Sequence, residues 1–458
     1  MKRLIIYLSV LILSPISFVY AQEESKLEIS GELLSDQRVL LKDKMDWVWN
    51  ENRVTLKLNK RSGEKSRFYS EVWVRNFGLP KLASSSELYN KGITDPVDLE
   101  IREAYLRING FLTDKLDLTI GRQRVIWGTA DKLNPTDNIN PYDLEDILDF
   151  GRHRGSDAIN INYYINNSFS IQAVVVPLFR PANLPTGLFA DALNPVINLP
   201  DGMLMKSYTD SLVAPRQNLM ESSTFGIRVK GYLAGIDLSI SYLKAIDPLP
   251  YVKDIIFTPA DMEGGVDLKS VLNYSDNTIL GADMATSVGG IGLWAEAAIY
   301  IPERDVIMTS NLTALYPMAQ YPVLQDSLLL GRRRAYVRFV AGGDYNFRDG
   351  SYINIQYMHG FLHERGAANL SEYLFIRYEK GLYNDKVKIS PINGALVVKE
   401  WREISENYAV AYMPEITYQA SPNSRFLLSA ALFTGKGENL FANQKKNNML
   451  IFKYKYNF

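Results

Sequence analysis

Leu450-Ile451-Phe452-Lys453-Tyr454-Lys455-Tyr456-Asn457-Phe458 alternates apolar or aromatic residues with polar ones. In a strand, Leu450, Phe452, Tyr454, Tyr456 and Phe458 share one face, and Lys453, Lys455 and Asn457 the other. Such a strand fits lipid on one side and water on the other. The same period-two rule recurs upstream. Phe68, Val72 and Val74 alternate with Tyr69, Glu71, Trp73 and Arg75, and Phe225, Ile227 and Val229 with Gly226, Arg228 and Lys230. Ile291, Leu293, Ala295 and Ala297 alternate with Trp294 and Glu296. A soluble β-sandwich alternates as well, so alternation alone leaves both folds open.

The connections decide between them. Segments near 67–76, 115–124, 169–177, 235–244, 291–301, 351–359 and 424–434 each follow a tight turn, such as Asn166-Asn167, Gly289-Gly290 or Arg348-Asp349-Gly350. Most are followed by long connections, roughly 77–97, 125–156, 178–222, 245–277, 302–332 and 435–446. Regular exchange of short and long connections is the asymmetry of a membrane barrel, with short periplasmic turns and long extracellular loops. Loops this long are uncommon in compact soluble domains. The expected fold is therefore all-β: a transmembrane antiparallel β-barrel of 16 strands, or 18 if 371–379 and 386–398 form a further hairpin.

Residues 1–21 read as a signal peptide, with Lys2-Arg3, the apolar stretch Leu4 to Leu13, and Val19-Tyr20-Ala21 before Gln22. Residues 22–458 are then the barrel, placed in the outer membrane of a Gram-negative bacterium. No N-terminal plug domain is expected before a first strand near 27–35. The ending at Phe458 resembles the signal read by barrel-assembly machinery. Outer-membrane lipid and lipopolysaccharide are the other expected partners. Formal net charge is −1, which leaves no basic footprint for nucleic acid. Without cysteine there is no disulfide and no thiolate metal site.

Gly121-Arg122-Gln123-Arg124-Val125-Ile126-Trp127-Gly128 opens the most distinctive stretch. The loop 125–156 is expected to fold into the barrel and narrow it. It carries Asp131, Asp137, Asp143, Glu145, Asp146 and Asp149 against Lys132, and is bracketed by Arg122, Arg124, Arg152 and Arg154. Lumen-facing Arg75, Arg107, Arg228 and Arg338 supply a basic wall. An acidic loop facing such a wall makes a transverse field that selects polar or charged solutes; the same pairs would also pin the loop. Strict parity from Leu118 and Ile120 turns Arg122 and Arg124 toward lipid, unless Gly121 bulges the strand or the arginines sit at the rim.

This stretch resembles a poorly characterised family of proteobacterial outer-membrane barrels that carry a GRQ…WG segment followed by Asn-Pro and Asp-rich turns. It is porin-like and distantly similar to the alginate-export barrels. The resemblance covers residues 121–143 and implies transport, not catalysis.

Three functions remain in view. The first is a channel for a small solute through a loop-constricted lumen. The second is a transporter for hydrophobic compounds, gated by loop 178–222 with its Leu184, Leu188, Phe189 and Leu193. The third is a structural or adhesive barrel plugged by its loops. No enzyme is expected: His153, His359 and His363 accompany no nucleophile motif, and no cofactor or metal fingerprint is present.

Overall fold

The computed structural model describes residues 27–42, 44–80, 82–190, 192–193, 199 and 202–458. The expected signal peptide, 1–21, lies outside them. Among the described residues no helix is long and apolar enough to cross a membrane.

The chain is a closed antiparallel barrel. Its strands begin with Leu27–Leu40, Trp47–Ser62, Ser66–Phe77, Val97–Ile108, Leu116–Gln123, Ser156–Tyr164 and Phe169–Val176. They continue with Thr224–Leu233, Ile236–Ile246, Asp276–Val288, Ile291–Pro302, Tyr336–Asn346, Ser351–His359, Glu372–Leu382 and Val387–Val398. Tyr408–Tyr412 and Glu415–Ser421 lie end to end between the same two neighbours, and Ser424–Lys436 and Met449–Asn457 complete the circuit. The two short segments fill one position, so the barrel has 18 strand positions. This corrects the count of 16 and realises the further hairpin, Glu372–Leu382 with Val387–Val398. Pro391 and Pro414 obscured it, because a residue without an N–H breaks the ladder and the sequence pattern together.

Closure rests on the segment quoted first. Glu32 pairs with Asn457 and Leu40 with Met449, in unbroken register. Gly31 and Phe458 exchange both backbone hydrogen bonds, at 2.9 and 3.1 Å. Closure leaves no open edge, which lipid would penalise by several kcal/mol per unmet group, to order of magnitude. Leu450, Phe452 and Phe458 face outward, while Lys453 reaches Asp36 at 2.8 Å and Lys455 reaches Glu32 at 3.3 Å inside.

Connections at one end of the barrel are short. At Gly289-Gly290 both residues have positive φ, which matches the twist of a two-residue hairpin. At the other end the connections are long, but not all are loops. Parts of 178–222, 245–277 and 302–332 form a separate five-stranded sheet. Its order is Leu324–Leu330, Val306–Asn311, Tyr251–Pro259, Gly265–Asn273 and Leu204–Leu212. Ile255, Phe257, Val266 and Leu268 are its buried core. Alternation in Gly-Val-Asp-Leu-Lys-Ser-Val-Leu (265–272) accounts for this sheet, which the reading of these stretches as plain loops did not anticipate.

Candidate functional site

After Gln123 the chain leaves the wall until Ser156, and the segment between bonds to Glu296 and Arg38 on other strands. Asn140, almost fully buried, organises the turn back. Its carboxamide oxygen accepts from Val125 N at 2.8 Å, and its nitrogen donates to Gln123 O at 3.1 Å and Ser156 Oγ at 3.0 Å. Trp127 is fully buried and donates from Nε1 to Gln172 at 3.0 Å.

One wall carboxylate holds the first half of the loop. Glu296 Oε2 accepts from Thr129 N (3.0 Å), Ala130 N (3.2 Å) and Asn134 Nδ2 (3.2 Å). Its Oε1 accepts from Thr136 N and Thr136 Oγ1, both at 2.7 Å. The Gly of the Trp-Gly pair follows from this: a Cβ on Gly128, whose φ is +95°, would lie 2.4 Å from Glu296 Oε2. Tyr300 adds a hydrogen bond from its hydroxyl to Pro135 O at 2.6 Å.

Arginines hold the second half. Arg38, fully buried, bridges Asp36 on its own strand and Asp146 on the loop in paired bonds. Arg75 grips Glu145 at 2.5 and 3.0 Å. Arg102 donates to Asp143 at 2.8 Å and to His153 O at 2.7 Å, and Arg152 reaches Asp143 at 2.9 Å. Trp73 lies under Arg53 and Arg102, at 3.9 and 4.2 Å from its ring centre. Burial alone would raise Asp143, but Arg152 and Arg102 outweigh it and hold the carboxyl down at about 2. Asp146 is likewise buried, and Arg38 holds it well below the usual carboxylate range.

The expected constriction residues thus fall into groups. Arg75 pairs from the wall with the docked loop, Asp143 and Arg152 pair within it, and Asp137 pairs with Arg124. Arg154 donates to Asn183 at 2.9 Å and lies 3.7 Å from Glu100. Arg228 and Arg338 are buried and make no ion pair among the described residues. Arg228 donates to Gln172 at 2.7 Å, and Arg338 donates to the carbonyls of Phe361 and Leu362 beneath the Tyr300 ring. Arg107 pairs with Asp117 at 2.9 Å near the short-turn end, away from the loop. Arg122 is corrected: it shares the outward face of Ile120 and Ile159 and pairs with Asp157 at 3.1 Å. Register is unbroken at Gly121, so no bulge turns Arg122 inward. Asp131 makes no ion pair among the described residues and faces open space.

Arg38, Arg102 and Glu296 were not foreseen. Each is one charged residue among many on an alternating strand, and its partner lies far away in sequence.

The apolar connection 178–222 also enters the barrel in part. Thr186 N and Leu144 N bond across to Glu145 O and Asn183 O, at 3.3 and 3.0 Å. Phe189 and Ala192 are buried with Ile147, Phe433 and Phe441. Loop and wall side chains thereby pack together at the long-loop end. Below the loop lies a cavity of about 600 Å³, lined by Asp131, Asp149, Asn354, Gln356, Arg377 and Arg425 among others.

A family model described as protein of unknown function (DUF1302) matches residues 46–379. No curated protein matches the sequence. Among solved structures, the chain is similar to OpdK of Pseudomonas aeruginosa, solved with vanillate. Identity is 8%, TM-score 0.49, covering 94% of this chain and 98% of that one. It is also similar to OmpT of Vibrio cholerae, at 11% identity and TM-score 0.42, covering 96% and 100%. A third is OmpF of Salmonella typhi in complex with daunomycin, at 9% identity and TM-score 0.41, covering 95% and 98%.

Proposed function

The chain belongs to the DUF1302 family, whose function is unknown, and we propose that it is an outer-membrane channel for a small solute, with a lumen constricted by the 125–156 loop. One observation carries this reading. The loop is fastened to the wall by Glu296, Arg38, Arg75 and Arg102, and a cavity lined in part by polar and charged groups lies beneath it. A barrel of 18 positions is wide enough for an aqueous path unless its loops fill it. Passage is by diffusion, with no covalent step. Short turns face the periplasm and long loops face outward, the leader is removed, and Phe458 is read by the assembly machinery. The constriction set is Asp131 and Asp149 on the loop against Arg377 and Arg425 on the wall, with the paired arginines as the loop's fastening.

Purified protein in a planar bilayer tests this: it should conduct, and deletion of 130–148 should raise the conductance. Silence in both forms overturns it. A second reading, a barrel closed by its own loops, is favoured by the apolar packing of Phe189, Phe361, Phe433 and Phe441 across the long-loop half. It predicts conductance only after the deletion.

A further inference from the structure

We infer that the cavity beneath the loop is a subsite for an amphipathic organic anion, a molecule with an apolar body and a single carboxylate. The inference deepens the channel reading by naming the class of solute.

The cavity has two unlike sides. Leu133, Leu148 and Phe150 form an apolar roof from the loop, continued by Phe375, Met413 and Ile451 on the wall. Phe150 is fixed edge-on against Phe361 and Phe441, at 5.4 and 6.0 Å between ring centres, so the roof is rigid. Apolar surface left facing a water-filled lumen is unfavourable unless a solute covers it.

The other side is charged, with five cations and three carboxylates in its lining. Lys132, Arg377, Arg425, Lys453 and Lys455 line the cavity, against the carboxylates Asp131, Asp149 and Glu415. Arg377 is engaged by Glu379 and Glu415, Lys453 by Asp36 and Lys455 by Glu32. Arg425 is exposed and makes no ion pair among the described residues. It also stands directly opposite Lys455 in the ladder. Like charges directly opposite one another destabilise a sheet. A carboxylate seated between Arg425 and Lys455 relieves that repulsion, and Leu427, the next luminal residue along the strand, leads from there to the apolar wall. Head and body of one small molecule therefore find complementary ground within one cavity.

Equilibrium dialysis of the full-length protein in zwitterionic nanodiscs, with empty discs subtracted, tests this at pH 7. The probes are 3-phenylpropionate, acetate, which lacks the body, and 2-phenylethylammonium, which reverses the charge. Phenylpropionate should bind about tenfold or more tightly than either, a difference of about 1.4 kcal/mol. Arg425→Gln should weaken phenylpropionate several-fold, and Arg425→Lys should restore most of it. Met413→Ser should narrow its advantage over acetate. Equal binding of the three probes, or no effect of Arg425→Gln, overturns the inference. Dialysis does not need conduction, so a protein that conducts without discriminating sinks this inference alone. One that binds but never conducts sinks the channel reading alone.

Discussion

Glu296→Gln is the sharpest test of how the loop is held. Five donors converge on the two carboxylate oxygens, three of them backbone N–H groups. A glutamine keeps the shape but replaces one oxygen with an NH2 group. Whichever way the amide turns, donors then face donors. Oriented one way it leaves Thr136 N unmet, the Thr136 hydroxyl turning to accept; the other way it strands Thr129 N, Ala130 N and Asn134 Nδ2. One buried donor without a partner costs about 1–3 kcal/mol. A net loss of about 2 kcal/mol raises the undocked population of the loop about thirtyfold. The 18-position ladder is untouched, so the barrel stays folded. Hydrogen exchange on a peptide spanning 127–137, in reconstituted protein, should show faster exchange at Thr129, Ala130 and Thr136, while strand amides keep their protection. Gly128→Ala should act in the same direction, because its Cβ would collide with the same carboxylate. Unchanged exchange in Glu296→Gln would refute the claim that this carboxylate fastens the loop.

Other outcomes follow from the same geometry. Arg38→Met strands Asp146 as a buried carboxylate, while Asp36 keeps Lys453, and should cost the docked loop about 3–5 kcal/mol, with Asp146→Asn added to it recovering part; proteolysis at Lys132 reads both. Gly31→Ala places a Cβ 2.2 Å from Thr55 O and 2.6 Å from the Phe458 ring, so the heat-modifiable folded band on a gel should fall sharply. Asp143 and Asp146 are held below their unfolded values of about 4. Their contribution to docking is therefore full above about pH 4 and fades as pH falls toward about 2. Protease sensitivity of the loop should rise over that acid window.

The barrel itself was legible because lipid imposes one rule on every strand. Outward Phe225, Ile227, Leu293 and Ile299 and inward Arg228 and Glu296 all obey it. Arg122 was misassigned to the constriction, although its parity with Ile120 already turned it outward. The strand count was harder: Pro391 and the Met413-Pro414 break interrupt alternation where two strands actually run. The outer five-stranded sheet went unread because its alternating segments lie inside stretches whose length suggested loops. In-folding of loop 125–156 was expected from its place as the third long connection. Its fastenings were not. An ion pair such as Arg38–Asp146 joins residues 108 apart, and nothing local distinguishes Arg38 from a solvated luminal arginine.

Conductance compares the two readings of the barrel directly. The channel account predicts that wild-type protein conducts in a planar bilayer and that deletion of 130–148 gives a larger single-channel step. A wild-type barrel that is silent, or a deletion that leaves the step unchanged, contradicts it.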